Sequence, residues 1–170
     1  MAKAFIITAA PGVGKTTLLP LLEPLLPHST AVLDGDSVGR INPWALTVFW
    51  LNLVQDNIIA CASVFLKNGL SNFVTAFCLP STERIERIVN GLSKVGYDPY
   101  IIAMYVDNDE LKRRHISRGA LFPDENDLLQ SSVELNEAIK KLECHSKFDS
   151  LKMSVEIAAR ELADLMKRIC

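Results

Sequence analysis

The sequence predicts an α/β domain, a three-layer sandwich in which a five-stranded parallel sheet lies between two layers of helices. Short apolar runs, typical of buried parallel strands, alternate with longer helical patterns along the 170 residues. The first apolar run, residues 3–8, leads directly into a glycine-rich turn and then into a helical pattern. The sequence contains no internal repeat, low-complexity tract or linker. We therefore predict a single domain over residues 1–170.

The turn after the first strand is the most informative stretch, with the sequence Ala-Ala-Pro-Gly-Val-Gly-Lys-Thr over residues 9–16. It matches the phosphate-binding P-loop pattern except at its first position, which is alanine instead of glycine. Gly12 and Gly14 allow a tight turn in which successive N–H groups can surround phosphate oxygens. Lys15 would bring a full charge to the β- and γ-phosphates, and Thr16 a hydroxyl ligand for Mg²⁺. The predicted nucleotide-binding residues are Pro11, Gly12, Val13, Gly14, Lys15, Thr16 and Thr17.

The other elements are predicted from hydrophobic periodicity and from capping residues. Pro20 lies inside the first helical pattern and lacks a backbone donor, so we expect a kink or an early end near residues 17–19. The predicted strands are 3–8, 31–33, 73–78, 100–106 and 148–151. The predicted helices are 14–26, 44–67, 81–95, 107–119, 127–144 and a last helix capped by Ser154.

Composition and charge argue against several classes of function. A net charge of −2 and a pI of about 5.9 give no reason to expect nucleic acid or an anionic membrane as a partner. The four cysteines show neither close pairing nor metal-ligand spacing, so we expect reduced thiols. The stretch 44–66 has the length of a membrane span, but Asn52, Gln55 and Asp56 near its centre would be costly in lipid, so we expect a largely buried helix. The first apolar run is too short for a signal peptide, and we predict a cytoplasmic protein.

Two aspartates follow the second predicted strand, in the sequence Asp34-Gly35-Asp36. The carboxyl ends of parallel strands share one edge of the sheet, so both side chains are predicted to lie beside the P-loop. The third strand ends in Phe-Cys-Leu at 77–79 and offers no carboxylate, which makes Asp34 the best candidate to hold Mg²⁺. Asp36 could orient an acceptor hydroxyl or take its proton. The alternative is a polar turn that binds nothing.

The P-loop, the aspartate pair and an arginine-bearing helix after the fourth strand together resemble the small-molecule kinases of the P-loop class. That class includes the shikimate, gluconate and adenylylsulfate kinases and the chloramphenicol phosphotransferases. The resemblance implies ATP and Mg²⁺ as cofactors and transfer of the γ-phosphate to a hydroxyl of a small molecule. It implies that Asp34 holds Mg²⁺ through water, that Asp36 binds the acceptor hydroxyl, and that Arg40 is an acceptor-site cation.

The same resemblance implies a lid, which in this chain would span about 114–126. Arg114 and Arg118 lie four residues apart and share one helix face. By resemblance Arg114 would stack near adenine and Arg118 would reach the phosphates. The loop from 119 to 126 contains no arginine, which weakens the lid's expected contribution to catalysis. We predict the strand order 2-3-1-4-5, typical of P-loop NTPases.

An acceptor-side helical region is predicted over about 37–70. Three aromatic residues, Trp44, Phe49 and Trp50, open the long helix there and could line an acceptor pocket. Packing in the core is the expectation for Phe49 and Trp50, which leaves Trp44 as the candidate acceptor-binding aromatic.

Two other functions remain open. A nucleotide-binding module without kinase activity would explain Ala9, the prolines in the first helix and the arginine-free lid. A GTPase-type switch is suggested by the Asp-x-x-Gly sequence at 36–39 and by Ser-Lys-Phe-Asp at 146–149. Their placement disfavours the switch, because the first lies only 21 residues after Lys15 and the second precedes the predicted fifth strand.

Overall fold

The computed structural model describes residues 1–43, 45–117, 125–151 and 154–170. A five-stranded sheet forms its centre, with the predicted order β2-β3-β1-β4-β5. Every pair of neighbouring strands is parallel. The strands are β1 (Lys3–Thr8), β2 (Thr30–Asp34), β3 (Asn72–Phe77), β4 (Asp98–Tyr105) and β5 (Ser146–Asp149).

Helices cover both faces of the sheet, as predicted. The first and last helices pack together, and so do the second and third. The helices are α1 (Lys15–Leu22), α2 (Val48–Lys67), α3 (Thr82–Val95), α4 (Asn108–Ser117), α5 (Glu125–Lys141) and α6 (Val155–Ile169). Short 3₁₀ turns follow α1 at Glu23–Leu25 and β2 at Gly35–Val38.

The central strand β1 explains why the sheet is parallel and fully covered. Four consecutive residues, from Ala4 to Ile7, are each no more than 1% exposed. A strand buried on both faces reads as a continuous apolar run, which is the pattern that helices on both sides require. The last residue of β1, Thr8, lies level with Phe77 of β3 and Ala103 of β4. The carboxyl ends of the three central strands therefore open at one edge, where the P-loop begins.

Of the two alternatives predicted near residues 17–19, a kink or an early end of α1, the early end is wrong. The helix continues through Pro20 to Leu22, and the 3₁₀ turn after it contains Pro24. Pro20 itself is exposed, whereas the leucines on either side of it at 18, 19 and 22 are buried. Burial of these leucines offsets the hydrogen bond that proline cannot make.

The long helix α2 begins at Val48, four residues later than predicted. The side-chain oxygen of Thr47 accepts a hydrogen bond of 3.1 Å from the backbone N–H of Trp50, which makes Thr47 the N-cap. Trp50 is 7% exposed and packs in the core, as predicted. Phe49 is 69% exposed, so the expectation of core packing was wrong for it. Phe49 lies outside the buried stripe because its neighbour Trp50 is in it, and side chains one residue apart point to different sides of a helix.

By length and composition, α2 is the one helix among the described residues that could span a membrane. Only 28% of its apolar window is buried inside this chain, so the expectation of a largely buried helix was wrong. The buried residues form one stripe, and α2 contacts the sheet and α3. The stripe consists of Trp50, Val54, Gln55, Ile58 and Ala62.

The short strand β5 starts and ends two residues earlier than predicted. It pairs with β4 from Ser146, opposite Ile102, to Asp149, opposite Tyr105. The chain turns there because the Asp149 carboxylate accepts a 3.0 Å hydrogen bond from the N–H of Leu151. All four cysteines are free thiols, three of them half-buried and Cys170 exposed.

Asn136 of α5 continues the sheet where β4 ends. Its side-chain amide donates to the Val106 carbonyl at 2.8 Å and accepts from the Val106 N–H at 3.3 Å. Both residues are fully buried. A further bond of 2.9 Å runs from the same amide to the side chain of Asn108, the first residue of α4. Asn136 therefore fixes the position at which α4 begins.

Replacing Asn136 with alanine should destabilise the fold by about 2–4 kcal/mol, because two buried backbone groups of Val106 lose their partner. Equilibrium unfolding in urea measures the change. Gln130→Ala is the matched control, because that residue lies on the same helix, is exposed and bonds only to Glu134 among the described contacts. Equal unfolding midpoints for the two variants would contradict the assigned role.

Candidate active site at the carboxyl edge of the sheet

The P-loop adopts the backbone that its glycines predict. Gly12 has φ of 87° and Gly14 has φ of 120°, a left-handed region that other residues rarely occupy. Gly14 is the N-cap of α1, so the helix begins at Lys15 and its first N–H groups have no acceptor within the helix. Ala9 stands where the pattern has glycine. Alanine fits there because the φ of Ala9 is not positive; among the described non-glycine residues, only Ser29 has a positive φ.

Lys15 is 6% exposed and folds back over its own loop. Its Nζ donates to the carbonyls of Ala9 at 2.9 Å and Ala10 at 3.3 Å. These carbonyls hold the ammonium group at the centre of the loop, beside the amides that would surround a phosphate. The loop thus contains a buried full charge and a ring of donors, an arrangement suited to an anion.

Arg114 of α4 joins the P-loop to the turn after β5. One NH of its guanidinium donates to the Val13 carbonyl at 2.7 Å, and the other lies 3.5 Å from the Ser150 carbonyl. Its Nε donates to Glu110 at 2.8 Å. Glu110 also makes a two-pronged contact with Arg113, at 2.6 and 2.7 Å. The hydrogen bonds from Arg113 and Arg114 lower the pKa of Glu110 to about 2, so this carboxylate stays ionised and fixes Arg114.

His115 also contacts the P-loop. Its Nε2 lies 3.4 Å from the Pro11 carbonyl, and a Cβ added to Gly12 would lie 2.5 Å from that nitrogen. Sequence analysis gave no role to His115 or Glu110. A signal was available for Glu110 alone, which lies four residues before Arg114, the spacing at which two side chains on a helix meet.

The aspartate pair lies at the end of β2, as predicted. The Asp34 carboxylate accepts a 3.1 Å bond from the Asp36 N–H, and its carbonyl accepts one of 2.6 Å from the Ser37 hydroxyl. Asp34 thereby caps the turn in which Asp36 lies. This turn is held to α2 by two bonds to backbone carbonyls, from Asn57 to Val38 at 2.8 Å and from Trp50 to Gly39 at 2.6 Å.

Asp36 is an exposed residue whose carboxyl group faces the P-loop. Loss of surrounding water raises the pKa of Asp36 above its ordinary value, and Asp34 adds to the rise, whereas the nearby Lys15 ammonium opposes it. The charges of Lys15 and Asp34 therefore both act on the Asp36 carboxyl.

Two cavities adjoin the P-loop. The larger, about 410 Å³, combines the anion-binding loop with Asp36. It is lined by Pro11, Gly12, Gly14, Lys15, Thr16, Thr17 and Asp36. The second, about 210 Å³, lies beside Arg114, between the start of α1 and the start of α6. Its walls include Gly14, Thr17, Arg114, Ser150 and Val155.

The end of β3 offers a thiol where a carboxylate would be expected. Cys78 follows β3, and burial raises its pKa to about 11. The thiol is therefore neutral and does not replace an acid as a ligand for a hard cation. Next to it the chain is fixed by Thr8, whose hydroxyl exchanges two hydrogen bonds with the backbone of Leu79, at 2.9 and 3.0 Å.

The structure brings together the P-loop residues, Asp34, Asp36 and Arg114. Arg40 is exposed and lies just after the turn that carries Asp36. Trp44 and Arg118 lie outside the described residues, as does most of the predicted lid. The sequence at 146–149 forms β5 itself. The guanine-reading motif of GTPases follows a strand, so this stretch does not match it.

The oxygen donors of the larger cavity fit Mg²⁺. Within the described ranges, no group of three His, Cys, Asp or Glu side chains is arranged to enclose a metal. Magnesium keeps several waters and needs only one or two protein oxygens beside phosphate oxygens. The Thr16 hydroxyl and the Asp36 carboxylate share the cavity, and Asp34 caps the same turn.

No protein-family model and no curated protein matches the sequence. The fold is nevertheless similar to those of solved kinases over nearly the whole chain. A sugar kinase from Janibacter aligns over 100% of this chain and 96% of its own, with a TM-score of 0.73 and 16% identity. A gluconokinase from Sinorhizobium meliloti aligns over 99% of this chain and 93% of its own, with a TM-score of 0.69 and 13% identity. The Mycobacterium tuberculosis APS kinase, solved with AMPPNP and APS, aligns over 98% of both chains, with a TM-score of 0.67 and 17% identity.

These neighbours are small-molecule kinases of the P-loop type, the class that the sequence resembles. The predicted fold, a P-loop α/β sandwich with strand order 2-3-1-4-5, is confirmed. At identities below 20%, the similarity establishes the fold and leaves the chemistry to the residues of the site.

Proposed function

We propose that this protein is an ATP- and Mg²⁺-dependent phosphotransferase that moves the γ-phosphate to a hydroxyl of a small molecule in the cytoplasm. The observation that carries the proposal is the larger cavity, in which Lys15, Thr16 and Asp36 face the same space as the P-loop amides. Anion-binding donors, a hydroxyl ligand for Mg²⁺ and a carboxylate for an acceptor are the parts that phosphoryl transfer needs.

The residues have distinct proposed roles. The loop from Pro11 to Thr17 cradles the phosphates, and Lys15 neutralises charge on the β- and γ-phosphates. Mg²⁺, when bound through Thr16 and through water on Asp34, supplies further neutralisation of the transferring phosphoryl group. Asp36 binds the acceptor hydroxyl and orients it toward phosphorus. The acceptor oxygen forms a bond to the γ-phosphorus while its proton passes to the Asp36 carboxylate, the bond between the γ-phosphorus and the bridging oxygen breaks, and ADP leaves with that oxygen.

The nucleobase would occupy the smaller cavity, beside Arg114. The guanidinium face of Arg114 offers a surface for stacking, since its edge is already used by Val13 and Glu110. Arg118 is proposed to reach the phosphates, and Arg40 and Trp44 to contact the acceptor, by resemblance to the kinases of this class.

A second candidate is a nucleotide-binding module without transfer activity. It is favoured by one observation: the Lys15 ammonium is bonded to the carbonyls of Ala9 and Ala10. A kinase must release at least one of these bonds when the phosphates arrive, whereas a module that binds nucleotide weakly need not.

The decisive experiment incubates the protein with γ-labelled ATP, Mg²⁺ and a panel of hydroxylated metabolites, sugars, nucleosides and neutral alcohols. We expect label to appear on at least one acceptor, and calorimetry to show binding of ATP that requires Mg²⁺. Tight ATP binding without any labelled acceptor would support the module. Equal affinity for GTP would support the switch, and failure to bind any nucleotide would refute the proposal.

A further inference from the structure

Two consecutive residues of α4 hold carbonyl groups of the P-loop from its outer side. Arg114 donates to the Val13 carbonyl at 2.7 Å, and His115 Nε2 lies 3.4 Å from the Pro11 carbonyl. Neither carbonyl can itself bind an anion, because a carbonyl oxygen repels phosphate. When α4 holds these carbonyls, it also orients the N–H groups at the other ends of the same two peptide groups.

A trans peptide group is planar, and its C=O and N–H point in opposite directions. The only cis peptide among the described residues is Asn42-Pro43, so the peptide groups that follow Pro11 and Val13 are trans. When α4 holds the Pro11 carbonyl, the N–H of Gly12 must face the other way. The same geometry turns the N–H of Gly14 away from Arg114 when the Val13 carbonyl is held. Both glycines line the larger cavity.

The contact with His115 is close enough to fix the loop. A Cβ on Gly12 would lie 2.5 Å from His115 Nε2, 2.9 Å from its Cδ2 and 3.0 Å from a methyl group of Leu111. The imidazole therefore lies directly against the Gly12 backbone. Leu111 is fully buried, so the turn of α4 that carries His115 is anchored in the core. Arg114 is also held in place, because its Nε donates a 2.8 Å hydrogen bond to the Glu110 carboxylate.

We propose that His115, with Arg114 beside it, is a positioning residue that aims the amides of Gly12 and Gly14 into the phosphate cavity before any ligand binds. This inference rests on the proposed function, since it assumes that the loop binds a polyphosphate. Donors held in place need no reorganisation when the anion arrives, and this preorganisation raises affinity. His115 acts with Nε2 protonated, donating to the Pro11 carbonyl.

The test uses inorganic tripolyphosphate, which carries the phosphates but no base, so that stacking on Arg114 does not contribute. We expect His115→Ala to bind tripolyphosphate about five- to tenfold more weakly than the parent, the loss expected for one hydrogen bond. His115→Gln keeps an amide donor of similar reach and should stay near the parent value. His115→Asn keeps the amide but is too short, and should behave like His115→Ala.

The matched control is Lys112→Ala, which changes an exposed neighbour on the same helix that pairs with Asp109 at 3.6 Å and has no described contact with Glu110 or the P-loop. In the kinase assay, His115→Ala should raise KM for ATP with little change in kcat, because the interaction is made equally in the ground state and the transition state. KM for the acceptor should not change.

The outcomes separate this inference from the proposed function. If the parent binds tripolyphosphate and His115→Ala binds it equally well, the inference is wrong and the proposed function stands. The same holds if His115→Gln and His115→Asn bind alike, a comparison that remains available if the alanine variant fails to fold. If the parent binds neither tripolyphosphate nor ATP, the proposed function and this inference are both refuted.

Discussion

Replacing Lys15 with alanine should lower kcat/KM for ATP by about 10²–10³, the cost of removing one charged group that stabilises a developing anion. Lys15 is 6% exposed, and its ammonium lies at the centre of the loop. A buried charge interacts with phosphate more strongly than an exposed one, because less water screens it. Calorimetric titration with ATP and Mg²⁺ should show weaker binding as well, since the lysine contacts the phosphates before and during transfer.

Two further variants make the measurement specific. Lys15→Met keeps the aliphatic stem and removes the charge, so it should lose activity like the alanine variant but retain more of the packing. Lys94→Ala removes an exposed lysine near the carboxyl end of α3 and should leave ATP binding unchanged. If Lys15→Ala bound ATP as tightly as the parent, the loop would not be a phosphate site.

The central strands and the P-loop were predictable because each follows from a local pattern, whereas the strand order was predicted from the resemblance to P-loop proteins. The continuous apolar run predicts the buried strand β1, and the two glycines allow the backbone conformation of the loop. The alternation of strands and helices predicts a parallel sheet. The aspartate pair was placed at the right edge for the same reason, since parallel strands end together.

The features that sequence analysis missed depend on contacts between distant segments. The course of α1 through Pro20 is decided by burial of the leucines around it, which outweighs the local cost of proline. The start of α2 depends on the Thr47 cap, one of several polar residues that could have served. The roles of Glu110 and His115 arise only when α4 is packed against a loop about 100 residues earlier in the chain.

The second large effect should come from Asp36. Asp36→Asn should lower the rate of phosphoryl transfer by about 10²–10⁴ and leave ATP affinity nearly unchanged, because the carboxylate serves the acceptor and not the nucleotide. Its position supports this assignment: Asp36 faces the cavity beside Lys15 and Thr16, whereas the Asp34 carboxylate caps the turn. Single-turnover kinetics together with ATP titration separate the two quantities. Asp34→Asn should instead shift the Mg²⁺ dependence.

The pH dependence gives an independent measure of the same role. Loss of surrounding water raises the pKa of the Asp36 carboxyl, so its ionised form is lost at a higher pH than for an ordinary aspartate. If the ionised carboxylate binds the acceptor hydroxyl, activity is present above this raised pKa and falls as the pH drops through it. Asp36→Asn should abolish this acid limb, since asparagine does not titrate.

The control for both measurements is Asp98→Asn, which removes a carboxylate at the start of β4, paired with Lys3 at the opposite edge of the sheet. That variant should keep the transfer rate and the acid limb of the parent. If Asp36→Asn weakened binding of ATP with Mg²⁺ while Asp34→Asn did not, the two roles would be reversed. If neither variant changed turnover, the pair would be a structural turn. The acceptor would then have to bind elsewhere along the same edge, where Arg40 follows the turn and Asn52 and Asp56 lie on α2.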